Sequence, residues 1–124
     1  MSSDYKRFIQ DKEKELRVNV PCVDGVWNKD YLYEYLVYLN YDGINEYIDE
    51  FFCQYLHNEM LCKLLLDFFL DGYYDGSEAL IGAVLVLRKM DKSVIVKYKD
   101  SVLLAQKSEV EWRRPFKEPL DWLY

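Results

Sequence analysis

Four Asp-Gly pairs, Asp24-Gly25, Asp42-Gly43, Asp71-Gly72 and Asp75-Gly76, the last two bracketing one loop, cut this chain into helix-length pieces. Such a pair breaks a helix and favours a turn, while between the pairs apolar residues recur at steps of three and four. Together these signals predict an all-α chain. A first helix is expected from Asp4 to Leu16, with Tyr5, Phe8, Ile9 and Leu16 on its apolar side. Val18 to Gly25 holds Pro21 and an Asp-Gly pair, and reads as a loop or short extended stretch. Asp30 is the expected N-cap of a helix running to Asn40 and buried through Leu32, Leu36 and Leu39.

After the Asp42-Gly43 turn, Ile44, Tyr47, Ile48, Phe51, Phe52, Tyr55 and Leu56 trace another apolar face. Glu46, Asp49 and Glu50 lie largely opposite it. Glu59 to Leu70 is the most apolar helix and the expected centre of the fold. Asp75 and Glu78 have capping-box spacing ahead of a helix from Ser77 to Met90, with Leu80, Ile81, Val84, Leu85 and Leu87 facing inward. The small residues Ala79, Gly82 and Ala83 in that helix would let a neighbour approach closely. Ser93 to Gln106 fits both a strand, through Val94, Ile95 and Val96, and a helix, through Ile95, Tyr98, Val102 and Ala105; helix is the favoured reading.

The expected architecture is a single-domain helical bundle of about five helices over residues 1–124. Residues 108–124, with Pro115 and Pro119 among Trp112, Phe116, Trp122 and Leu123, would form a C-terminal cap. Leu36 to Gly43 matches Leu65 to Gly72 in its apolar pattern and closing Asp-Gly. HEAT-like stacked hairpins produce such a repeat, and so does the common grammar of two amphipathic helix ends. With 124 residues, 51% of them hydrophobic, the chain supports one core and is not expected to be disordered.

Lys63, Asp67 and Asp71 interrupt the most apolar stretch, so no membrane span is expected, and the charged N-terminal segment lacks the apolar core of a secretion signal. Three cysteines, an odd number, suit a reducing compartment and a cytoplasmic location. No phosphate-binding glycine loop is present, Cys22, Cys53, His57 and Cys62 contain no CxxC pair, and a Cys53–His57 pair, four residues apart, has no third group to orient it. The expectation is therefore no enzyme activity, no catalytic residue, no metal and no cofactor.

Charge is more telling. Asp30 to Glu78 holds eleven acidic residues against the single base Lys63, a balance of minus ten in a chain whose total is −6. Unopposed like charge raises self-repulsion in the folded state, and a basic partner would relieve it. Tyrosine, present twelve times, is favoured at interfaces because it joins a rigid apolar body to a polar tip. Tyr33, Tyr41, Tyr73 and Tyr74 are the expected exposed ones. The candidate partner-binding residues are Asp42, Glu46, Asp49, Glu50, Asp71, Tyr73, Tyr74, Asp75 and Glu78, with the loop around Tyr73 and Tyr74 as first choice.

In its helical architecture, its size, its acidic block from Asp30 to Glu78 and its Asp-Gly-punctuated hairpins, the chain resembles the immunity proteins of bacterial toxin systems, including contact-dependent inhibition. That resemblance implies binding and neutralisation of a basic toxin domain, often a nuclease, with no direct contact to nucleic acid or membrane. Two other classes remain open: a phage-type nucleic-acid mimic that inhibits a defence nuclease, whose carboxylates would follow one continuous edge, and a helical adaptor whose binding is insensitive to salt.

Overall fold

A computed structural model describes residues 3–70 and 77–107. Its elements in chain order are α1 (Ser3–Val18), β1 (Cys22–Val23), β2 (Val26–Trp27), α2 (Lys29–Tyr38), α3 (Asn45–Cys53), α4 (Glu59–Leu70), α5 (Ser77–Lys89), α6 (Lys92–Lys97) and α7 (Lys99–Lys107). The chain is predominantly α-helical, with a single two-stranded hairpin among the described residues. The expected cap 108–124 lies outside the described residues, as does the expected capping box at Asp75.

The hairpin is set by its turn. Asp24 and Gly25 have φ of 51° and 79°, the left-handed pair that matches the twist of a two-residue hairpin and suits Asp-Gly. Cys22 then pairs with Trp27 and Val23 with Val26. Trp27 lies edge-on to Phe51 and Tyr55, at 6.3 and 5.1 Å between ring centroids, which ties the hairpin to α3 and the turn after it.

Helix ends follow local hydrogen bonding. Asn28, not Asp30, caps α2: its side-chain oxygen accepts from the Tyr31 amide at 3.0 Å. Asp30 instead occupies the first turn, where its charge favours the helix dipole. Asn58 caps α4 in the same way, accepting from the Leu61 amide at 2.9 Å. The stretch Ser93 to Gln106 is helical, as favoured, but it divides into α6 and α7 at Tyr98, which leaves helical geometry with φ −111° and ψ 22°. The two members of the internal repeat end differently: α2 stops at Tyr38, whereas α4 continues to Leu70, the residue aligned with Tyr41.

Two consecutive residues of α2 organise the core. Tyr35 is fully buried and donates its hydroxyl to the Leu16 carbonyl in the last turn of α1 at 2.6 Å, while meeting the Tyr47 hydroxyl of α3 at 3.2 Å. Its ring lies edge-on to Phe51 at 5.1 Å. On the other side, the Leu36 carbonyl faces Gly82 of α5 so closely that a Cβ there would fall 2.2 Å from the oxygen. Ala79, Ala83 and Val86 are buried on the same helix, so the expected small-residue face exists and receives α2. Leu85, expected inward, is instead part of the surface, and Val86 takes the buried place.

Alanine normally stabilises a helix over glycine by up to about 1 kcal/mol. Gly82→Ala should do the opposite here, lowering stability by about 1–3 kcal/mol because the new methyl meets backbone that cannot move alone. An unchanged or raised urea midpoint would contradict this α2–α5 contact.

Burial, followed by the bond to Tyr47, pushes the Tyr35 hydroxyl pKa up from its ordinary 10.0. A raised folded pKa means that the contribution of this group to stability is complete below pH 10 and fades as pH rises past it. Tyr35→Phe should cost about 1–3 kcal/mol at pH 7, by leaving the Leu16 carbonyl without its donor. The gap to the wild type should close by up to about 1.4 kcal/mol per pH unit above pH 10. Parallel stability profiles would show that Tyr35 does not titrate with unfolding.

Candidate functional site

The expected acidic residues fall on three elements. Asp42 sits in the turn between α2 and α3, Glu46, Asp49 and Glu50 are on α3, and Glu78 is in the first turn of α5. Asp71, Tyr73, Tyr74 and Asp75, the first-choice loop, lie outside the described residues.

Asn40 fixes how the turn meets α5. Its side-chain amide donates to the Val37 carbonyl at 3.1 Å and to the Glu78 carbonyl at 2.8 Å. The Tyr41 hydroxyl donates to the Glu78 carboxylate at 3.3 Å, and burial, then that carboxylate, raises its pKa. On the other side Tyr5 of α1 donates to the Asp42 carbonyl at 2.9 Å. Asp42, Glu78 and the start of α3 are thereby held around one turn.

The ion pairs divide the acidic block in two. Lys89 of α5 bridges Asp49, Lys97 of α6 lies 3.2 Å from Glu59, and Lys29 at the start of α2 lies 4.0 Å from Asp67. All three lysines come from outside the stretch Asp30 to Glu78, so folding partly neutralises a charge that looks unopposed in sequence. Glu46 and Glu50 have no such partner among the described residues. They are exposed, one helical turn apart, and Asp42 is exposed just ahead of them. Glu46 stands in the first turn of α3, whose N-cap Ile44 offers no side-chain acceptor, so its charge serves the helix dipole. Glu50 has no comparable structural use.

Between α3 and α5 runs a groove of about 270 Å³, floored by Leu39, Phe52 and Val86 and rimmed by Glu46, Asp49 and Lys89. Leu85 reaches its surface because this groove separates the two helices there. Cys53 also lines it and is exposed, with its sulfur 3.9 Å from Asp49 Oδ2. The described residues hold no group of three or more His, Cys, Asp or Glu side chains placed to bind a metal ion. No described helix is long and apolar enough to cross a membrane.

Two tyrosines expected to be exposed are half-buried. Tyr33 packs on Phe68 at 6.1 Å, and Tyr41 on Tyr38 at 4.8 Å. The most exposed aromatic among the described residues is one that the sequence places on a buried face: Phe8, 42% accessible, with Tyr5, Tyr38 and Tyr41 around it. The signal was available. Phe8 and Ile9 are adjacent on one helix and differ by about 100° in direction, so a single narrow stripe cannot bury both. Ile9 is the buried one.

Comparison with protein-family models, with curated proteins and with solved structures finds no match.

The cysteines allow a direct check of burial. Cys22 and Cys62 are buried, and burial, aided by nearby Glu59, pushes the Cys62 thiol up to about 12. At pH 8 a thiol reagent should label one cysteine per folded chain, with Cys53→Ser abolishing that reaction and denaturant restoring the other two. Rapid labelling of two or three thiols without denaturant would show that the core around α4 opens.

Proposed function

We propose that this chain is an immunity protein of a bacterial toxin system, which binds and neutralises a cognate basic toxin, a nuclease in the first instance, through the acidic surface of α3. One observation carries the reading: Glu46 and Glu50, a row one helical turn apart on α3, and Asp42 in the turn before them are exposed and without basic partners among the described residues, while Asp49, Glu59 and Asp67 are bridged by distant lysines. Like charges one helical turn apart destabilise an isolated helix by about 0.2–0.5 kcal/mol. A basic partner surface would reverse the sign of that term.

In this reading the chain performs no catalysis and acts in the cytoplasm, where the toxin would act. Its row of carboxylates attracts the positively charged cleft that a nuclease uses for its substrate, speeds encounter and then occupies the path of the nucleic acid. The groove beside α3 supplies apolar surface next to the charged row, the pairing of steering rim and desolvated centre that stable interfaces use.

Glu50→Lys separates stability from binding. It replaces a repulsive pair with an attractive one in which Glu46 precedes the ammonium by one helical turn, the favoured orientation, so stability should rise by roughly 0.5 kcal/mol. Capture of partners from the source cell at low salt, with mass spectrometry, should recover a basic toxin or nuclease domain that a high-salt wash releases. Association of that partner with Glu50→Lys should be roughly tenfold slower at low salt, with little change in dissociation. A neutral partner that resists salt and binds Glu50→Lys equally fast would replace this reading with that of a helical adaptor.

A further inference from the structure

Tyr5, Phe8 and Lys12 follow one another at steps of three and four on α1, and this edge lies against Tyr38 at the end of α2 and Tyr41 in the next turn. Phe8 is the hub: its ring centroid is 6.4 Å from Tyr5, 6.1 Å from Tyr38 and 6.3 Å from Tyr41. Four rings gathered so closely usually close over one another, yet Phe8 keeps 42% of its surface in water. It has no hydroxyl to reward that exposure.

The surroundings select a cation. On α1, Asp4 and Asp11 are exposed at four residues before and three after Phe8, the positions that share its face. On the opposite side, Glu34 stands four residues before Tyr38, and the Glu78 carboxylate receives the Tyr41 hydroxyl. The molecule already places cations on rings of this kind: Lys12 Nζ lies 4.8 Å from the centre of Tyr38, and the Arg17 guanidinium lies 4.3 Å from that of Tyr47. A nucleic-acid base could stack on such a patch, but the carboxylates of Asp4, Asp11, Glu34 and Glu78 outnumber the Lys12 ammonium that lies on Tyr38, and would repel the phosphates that accompany the base.

We infer that the patch of Phe8, Tyr38 and Tyr41 is an arginine-docking site, the apolar anchor through which this chain holds a basic protein partner. The inference rests on the proposed immunity reading and adds to it the identity of the gripping residues. A guanidinium is planar and weakly hydrated, so it can lie on the Phe8 ring while its N–H groups reach Asp11 or Glu78, whereas a lysine ammonium keeps its water and gains less from the ring. The carboxylate row of α3 then governs encounter, and the aromatic patch governs how long the complex lasts.

Nona-arginine and nona-lysine peptides serve as probes, titrated at low salt and followed by calorimetry and amide chemical shifts. The wild type should bind nona-arginine roughly two- to fivefold tighter than nona-lysine beyond any preference the variants retain, with the largest shifts at Phe8, Tyr38 and Tyr41. Phe8→Ala should abolish this extra preference and leave nona-lysine binding unchanged. Phe8→Leu, which keeps apolar bulk, should do the same and serves if the alanine variant melts early. An arginine preference that survives in both variants, or shifts confined to α3, would overturn the inference, as would concentration-dependent self-association that Phe8→Ala abolishes. Neutralising Glu46 and Glu50 to glutamine should weaken both peptides equally. If it weakens neither while the Phe8 effect stands, the steering role of α3 fails and the docking patch survives.

Discussion

The buried hydroxyl of Tyr35 joins three helices that the chain could otherwise arrange in several ways. An apolar residue at that position would bury as well, but it would leave the Leu16 carbonyl of α1 without a donor and give α3 no polar reference point beside Tyr47. Hydrophobic burial is indifferent to direction, whereas a hydrogen bond in a dry interior admits one geometry. The neighbouring Leu36 adds the second constraint, because its carbonyl lies where a side chain on α5 would have been. Alternate sides of one helical turn thus fix α1 and α3 on one hand and α5 on the other, and the remaining helices fill around that frame.

The helices were legible because their apolar spacing is strong: α4 spans Glu59–Leu70 as its sequence pattern indicates, and Gly82 announced a close approach that exists. The caps were less legible. Asn28 and Asp30 both suit an N-cap by residue type, and only backbone geometry decides between them. Tyr98 interrupts a segment whose apolar pattern is continuous, since periodicity describes faces and not breaks.

The candidate site was legible as charge and illegible as arrangement. Counting acids in a window cannot reveal that Lys29, Lys89 and Lys97 fold back on Asp67, Asp49 and Glu59, because each partner is at least 38 residues distant along the chain. It therefore overstates the bare charge and gives no hint that Asp49 would be bridged while its neighbours Glu46 and Glu50 on the same helix would not. The aromatic patch was missed for a related reason. Tyr5 and Phe8 belong to α1, Tyr38 and Tyr41 to the end of α2 and its turn, and neither pair is notable until the two are brought together.

The turn through Asn40 has a consequence for any association in which α3 takes part. A short connection of residues 39–44, pinned by the Asn40 amide to both α2 and the start of α5, leaves the acidic helix little freedom to swing. A surface that is already in place loses little entropy when a ligand settles on it. In such an association the acidic helix would be preorganised, and the adjustments would fall to the other molecule.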